Sequence, residues 1–179
     1  MAPRRLSRET LLPLLAAHVL EHGLSGLSLR PLAKAAGTSD RMLIYHFGSK
    51  ERLVADLLDH LAQMFAAALD GAFPAGRAAS RRACFEQVLE ITAQPEFAPF
   101  FRVWWDIVAG CARGEEAYRT AAGSIMQLLL HWVEDHLPAD DPESEQGARA
   151  VLTLIEGAQM LDAVGKSSIS AGVGSILDG

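Results

Sequence analysis

The stretch Ser28–Lys50, SLRPLAKAAGTSDRMLIYHFGSK, decides how the rest of the 179-residue chain is read. Ser28 is placed to cap a short helix in which Leu29, Leu32, Ala33 and Ala36 share a face at 3.6-residue spacing, with Arg30 and Lys34 off that face. Gly37 stops this helix, Thr38 or Ser39 caps the next, and Leu43 and Phe47, four apart, point inward together. Gly48-Ser49 then breaks the chain, and Ser49 caps a further helix from Lys50. Two short helices joined by a glycine turn, with a third following at once and a surplus of basic groups, form the pattern of a helix-turn-helix that lays a short helix in a DNA groove.

Outward from this stretch the same periodicity recurs, and strand signals are nearly absent. Upstream, a helix from Ser7 or Thr10 carries Leu11, Leu15 and Val19 on one edge and ends at Gly23. Pro13 costs little if Thr10 is the cap, because it then falls in the first turn; a start at Ser7 predicts a kink. Downstream, Leu53, Leu57, Leu61, Phe65 and Leu69 keep an i, i+4 column from Lys50 to about Asp70, and residues 72–76 break it. Further helices are expected over Ala78–Ala93, from Pro99 to Gly114, over Glu115–His136, and from Pro142 or Glu143 to Val164. The Gly- and Ser-rich tail 165–179 is compatible with a short last helix and frayed ends. The expected fold is all-α: a DNA-binding domain over residues 1–52, with three helices and the helix-turn-helix, then a larger helical body over 53–179.

Half of the residues are hydrophobic, which argues against disorder. The formal charge of −6 suits a nucleic-acid binder only once it is divided along the chain. Residues 1–52 hold eight basic groups (Arg4, Arg5, Arg8, Arg30, Lys34, Arg41, Lys50, Arg52) against four acidic ones, so the body carries the acid. A basic contact surface on an acidic body produces this asymmetry. Cys84 and Cys111 form neither a zinc signature nor a disulfide framework, which fits a reducing compartment. No secretory leader and no run long enough to span a bilayer is evident, so a cytoplasmic protein without a membrane partner is expected.

Residues 7–54 resemble the N-terminal domain of the tetracycline-repressor (TetR) family of bacterial transcription regulators. The resemblance rests on EHGLSGLS followed without a gap by LRPLAKAAGTSDRMLIYHFGSKERLV, and above all on Ala36-Gly37-x-Ser39, Tyr45-His46-Phe47 and Ser49-Lys50-Glu51. It implies that Tyr45 and His46 approach the DNA backbone, although His46 could equally pack in neutral form against the start of the fourth helix. Ile44 stands where most relatives carry the first of two tyrosines, so one phosphate contact is missing and an apolar contact with a thymine methyl could replace it.

The chemistry of the other positions is independent of the family. Lys50, in the first turn after Ser49, joins an ammonium to free helix N–H groups and makes a phosphate site. Arg30 and the hydroxyls of Ser28 and Thr38 are similarly placed for phosphates, with N-capping a compatible second role for Ser28. Base reading falls to the exposed start of the third helix, where Ser39 leads into Asp40 and Arg41. Arg41 can bond guanine O6 and N7 bidentately, a pair that discriminates by about 1–3 kcal/mol, while Asp40 can accept from cytosine N4 or hold Arg41 in place. A module of this size reads few base pairs, so a homodimer on a palindromic operator is expected, its recognition helices about 34–36 Å apart or a multiple of that.

The resemblance implies that the body binds a small effector and dimerises through its last helices. Phe97, Phe100, Phe101, Trp104, Trp105, Met126, Leu130 and Trp132 concentrate the aromatic and methionine side chains, with Arg102, Asp106 and His131 as the nearest polar groups. Phe101, Trp104, Trp105, Met126, Leu130 and His131 are the candidate effector contacts, a mainly apolar set of the usual kind, and ordinary core packing is the alternative for each. From Ala148 to Val164 the polar residues Thr153, Glu156, Gln159 and Asp162 recur every third position, so apolar surface covers more than one stripe. Burial by the chain itself on one side and by a second subunit on the other would account for it, as would a wholly internal helix. His18 and His22 have metal-ligand spacing but no third partner, and no metal or cofactor is expected. No nucleophile elbow, phosphate loop or zinc-protease motif occurs, so no enzyme is expected. The leading expectation is a ligand-responsive repressor. An effector-independent DNA-binding protein is the alternative, or a helical enzyme or carrier that retains a helix-turn-helix.

Overall fold

A computed structural model of the chain describes residues 6–73 and 76–178. Helices form wherever the apolar spacing runs between capping and breaking residues, and no strand occurs among the described residues. The order is α1 (Arg8–His22), α2 (Leu29–Ala35), α3 (Asp40–Phe47), α4 (Lys50–Ala72), α5 (Arg81–Thr92), α6 (Ala98–Ala112), α7 (Glu116–His136) and α8 (Ser144–Ala163). Short 3-10 segments lie at Pro95–Phe97, Ser167–Ile169 and Val173–Asp178. Among the described residues no helix is long and apolar enough to cross a membrane. Arg4, Arg5 and Pro74 lie outside the described residues.

The chain divides by packing into two compact units. The first contains the described residues up to Phe65 together with Glu96–Ile125, so α6 and the start of α7 pack with the N-terminal helices. Its core joins Leu11, Leu15 and Val19 of α1, Leu32 of α2, Leu43 and Phe47 of α3, Leu53 and Leu57 of α4, and Val103 and Ile107 of α6. In α1 to α4 these are the inward faces that the sequence spacing picks out. α1 begins after Ser7, whose hydroxyl accepts the Thr10 N–H while the Thr10 hydroxyl accepts the Ser7 N–H, a reciprocal cap. Pro13 therefore sits inside the helix, which continues through it to His22. The ring of Phe65 meets Phe97, Phe100 and Phe101 edge-on at centroid separations of 5.7, 5.5 and 6.0 Å.

The second unit contains Ala66–Pro95 and the described residues from Met126. α5 and α8 pack against each other and against the Val173–Asp178 segment, burying Cys84, Phe85, Val88, Ile91, Val151, Ile155 and Leu177. α5 starts at Arg81, not at the expected Ala78, because the Ala78 N–H is committed to the His136 carbonyl at 2.8 Å and Ser80 supplies the cap. Arg81 then clamps the α7–α8 loop: its guanidinium meets both carboxylate oxygens of Asp141 at 2.7 and 2.5 Å. The tail forms the two C-terminal 3-10 segments, not an α-helix.

Candidate nucleic-acid interface

α2 and α3 hold the predicted DNA contacts, and their caps explain the spacing. At the end of α2, Gly37 takes a φ of 64°, a conformation that side chains with a Cβ rarely adopt, and turns the chain so that Thr38 N–H bonds back to Ala33 O at 2.9 Å. Ser39 then caps α3, its hydroxyl accepting from Met42 N–H at 3.3 Å. Ser28 stands at the N-cap of α2 in extended conformation, but its hydroxyl makes no cap bond, which corrects the expected capping role. Lys50 opens α4, where Ser49 accepts the Arg52 N–H.

With Leu43 and Phe47 buried, α3 turns Asp40 and Arg41 out to solvent, leaves Ile44 half-buried, and exposes Tyr45 to 77%. Ser28, Arg30, Ser39 and Lys50 are exposed as well, while Thr38 is half-buried. Among the described residues, no ion pair engages Arg30, Lys34, Arg41 or Lys50. Their charge is available to an external anion. One part of the expected phosphate site is partly taken: the Glu51 carboxyl is held below its ordinary range by its own backbone N–H, by the Ser49 hydroxyl and by the Lys50 charge. A phosphate at this helix start would meet the Lys50 ammonium but compete with Glu51 for the N–H groups.

His46 takes a different place from its neighbour. Its Nε2 is enclosed without a hydrogen-bond partner, and its ring lies edge-on to Tyr45 at 5.2 Å, so packing accounts for the ring in this pose. Sequence reasoning missed the group behind it. Arg8 donates from Nε to the His46 carbonyl at 2.6 Å, pairs with Asp56 at 3.3 Å, and lies 5.6 Å from the centre of the Phe47 ring. An open cleft of about 810 Å³, lined by residues 6–10 with Tyr45 and His46, lies beside it.

Two polar residues in the aromatic run of α6, Arg102 and Asp106, face the end of α1. Asp106 accepts the Leu24 N–H at 2.8 Å, and Arg102 donates to the Glu21 carbonyl at 3.3 Å, so both hold the end of α1. A second cleft of about 530 Å³ is lined by residues 24–27, Lys50, Val54, Asp106, Ala109, Arg113, Glu115 and Tyr118. Burial pushes the Tyr118 phenol above its ordinary value, with Glu115 and Asp106 adding to the shift.

Of the candidate effector contacts, Phe101, Trp104 and Trp105 belong to the first unit and are half-buried, and Trp104 packs against the N-terminal core. Met126, Leu130 and His131 belong to the second, where His131 is exposed and 3.4 Å from Gln127. None of the six lines either cleft. Trp132 stacks on His136 at 3.8 Å and meets Phe73 edge-on, as a core residue does, with its Nε1 buried and unpartnered. His18 and His22 stack at 4.3 Å, and His22 Nδ1 lies 3.0 Å from the His18 carbonyl. Among the described residues, no group of three or more potential metal ligands forms.

Residues 16–57 match the family described as bacterial regulatory proteins, tetR family. Solved structures share the fold. One is a putative TetR-family transcriptional regulator from Rhodococcus sp., 20% identical, with a TM-score of 0.69, covering 95% of this chain and 97% of that one. A second is a putative transcriptional regulator from Streptomyces coelicolor A3(2), 24% identical, with a TM-score of 0.67 and coverage of 86% and 84%. A third is the multidrug binding protein EbrR complexed with imidazole, 19% identical, with a TM-score of 0.67 and coverage of 95% and 88%. Comparison with curated proteins found no match.

Proposed function

We propose that this chain, a regulator of the TetR family by its N-terminal domain and its fold, binds a palindromic DNA operator as a homodimer and leaves it when a small, mainly apolar effector binds the body. The observation that carries the reading is the set of cations Arg30, Lys34, Arg41 and Lys50, free of ion pairs among the described residues and gathered with exposed Tyr45 on one small module of a chain whose formal charge is −6. Arg41 and Asp40 read bases from the start of α3, Ile44 meets a thymine methyl, and Ser28, Arg30, Thr38, Tyr45 and Lys50 hold the backbone.

Two features support the dimer and the effector response. α8 buries Ala148, Val151, Ile155 and Ala158 on one side, yet it leaves Met160 48% and Val164 61% exposed, with Leu154, Gly157 and Leu161 half-buried. That second apolar flank suits a partner helix, and Gly157 would let it come close. α6 carries Phe101, Trp104 and Trp105 and also grips α1 through Arg102 and Asp106, so an effector that shifts α6 would shift the module. To move the population decisively, the effector must prefer the released state by several kcal/mol. EbrR, described as a multidrug binding protein, has the same fold, which makes a hydrophobic drug-like compound a reasonable first class to screen.

The test is an electrophoretic shift assay on duplex DNA flanking the gene, with wild type, Arg41→Ala and Lys50→Ala. Wild type is expected to bind, with an affinity that falls steeply with salt. Arg41→Ala should relax base preference, and Lys50→Ala should weaken all sequences and reduce the salt dependence by about one counterion. Equal binding by all three proteins would refute these assignments. Release by no hydrophobic compound in a thermal-shift and binding screen would favour effector-independent binding.

A further inference from the structure

We infer that Arg8 is a positioning residue for DNA recognition: it is the clasp that sets the pose of α3 and makes no phosphate contact itself. The inference rests on the reading of α3 as the base-reading helix. α3 has eight residues, too short to hold its own direction by internal bonds. Its last carbonyls lack intrahelical partners, and while the Ile44 carbonyl is taken by the Gly48 N–H, the His46 carbonyl is taken by Arg8 Nε at 2.6 Å. The guanidinium brings positive charge to the negative end of the helix dipole, where it stabilises. Its other edge reaches Asp56 of α4 at 3.3 Å, and it lies over the Phe47 ring. One side chain at the first position of α1 thereby ties together α1, α3 and α4.

The arrangement bears on specificity because the bond lands beside the proposed contacts. Tyr45 and His46 flank the cleft that residues 6–10 line, so Arg8 anchors the end of α3 to α1 at the edge of the proposed contacts. Formal charge counts Arg8 among the groups that attract DNA. Its Nε and Nη1 donors are instead directed at His46 and Asp56, so its loss should alter the fit of α3 while leaving the number of neutralised phosphates unchanged.

The experiment uses the full chain and two labelled duplexes: one enriched by the wild-type protein from a random-sequence pool, and one of random sequence. Arg8→Met is expected to weaken the enriched duplex by about tenfold, the loss for one charged hydrogen bond. The random duplex should lose much less, the slope of log affinity against log salt should stay at the wild-type value, and Arg8→Lys should recover part of the loss. A slope shallower by about 0.9 would make Arg8 a direct phosphate contact and overturn the inference. Unchanged affinity, or an equal loss on both duplexes, would overturn it too. Should Arg8→Met lose helicity, Asp56→Ala keeps the His46 bond and removes only the second anchor; it should cost about threefold, again on the enriched duplex alone, and no selective loss overturns the inference. If the wild-type chain enriches no duplex, the DNA-binding reading itself fails, a result distinct from failure of the clasp.

Discussion

Removing the Arg81 guanidinium should destabilise the second unit more than removing its partner. Asp141 is nearly enclosed, with 4% of its side chain exposed against 21% for Arg81. Arg81 Nε and Nη2 meet the two carboxylate oxygens at 2.7 and 2.5 Å, and Nη2 also donates to the Glu143 carbonyl at 3.2 Å. The space is built for this side chain: a Cβ at Gly147 would sit 2.5 Å from Arg81 Nε. In Arg81→Ala the carboxylate stays buried with only the Glu143 N–H at 3.0 Å to answer it. Breaking a buried pair this way costs about 3 kcal/mol, the lower end of the usual range because that one donor remains. Asp141→Asn leaves a guanidinium that can turn to water and should cost about 1.5 kcal/mol. For a chain of this size, 3 kcal/mol lowers the melting temperature by roughly 6–12 °C.

The pH dependence gives the sharper test. Hydrogen bonding to Arg81 holds the Asp141 carboxyl below its ordinary value, with the Glu143 N–H and the Arg81 charge acting in the same direction. A carboxyl lowered in the folded state adds stability that is fully present above its unfolded value, near 3.9, and is lost as the pH falls through the folded one. The penalty of Arg81→Ala should therefore be largest near neutral pH and shrink as the pH falls into the carboxyl range, where the mutant's buried carboxyl becomes neutral before the wild type's does. Thermal melts followed by circular dichroism at several pH values read both quantities. A change of under about 2 °C at neutral pH, or a penalty that grows in acid, would refute the reasoning.

Glycine positions supply the remaining predictions. Gly110→Ala places a Cβ 2.3 Å from Cδ2 of the Tyr118 ring and should cost about 1–3 kcal/mol in a urea titration, whereas Gly123→Ala, in α7 with nothing within 4 Å, should be neutral or stabilise by up to about 1 kcal/mol. Gly157→Ala meets no atom of its own chain within 4 Å, so folding should not suffer, but if a partner helix packs there the dimer should dissociate at lower dilution in sedimentation velocity. An unchanged dimer constant would move the interface away from this part of α8.

The local grammar of the chain carried much of the fold because helix limits depend on neighbours a few residues apart. The Ser39 cap, the Gly37 turn and the inward pair Leu43 and Phe47 needed nothing beyond their own segment. What periodicity cannot see is a partner far along the chain. Arg81 and Asp141 are 60 residues apart, and Arg8 and His46 are 38 apart. The start of α5 went astray for the same reason: the Ala78 N–H is held by His136, so residues that could extend the helix are used elsewhere. Arg102 and Asp106 lie among aromatics in the sequence and suggested the polar edge of a pocket. At i and i+4 they share one helix face, and that face meets the end of α1. Only packing shows what that face holds.

Formal charge treats every cation of the N-terminal segment as equal, yet the described ones divide by what they touch. Arg8 is spent on His46 and Asp56, inside the protein's own architecture. Arg30, Lys34, Arg41, Lys50 and Arg52 form no ion pair among the described residues, and three of them belong to α2 and α3 while the other two lie in the first turn of α4. An anion approaching the module therefore meets fewer positive groups than the sequence counts, but these are held on short helices whose directions are set by caps and by the Arg8 clasp. Affinity that depends on salt should follow these five unpaired cations, and selectivity should follow whatever keeps α3 in place. The two properties are thus separable by mutation in this module, since they reside on different side chains.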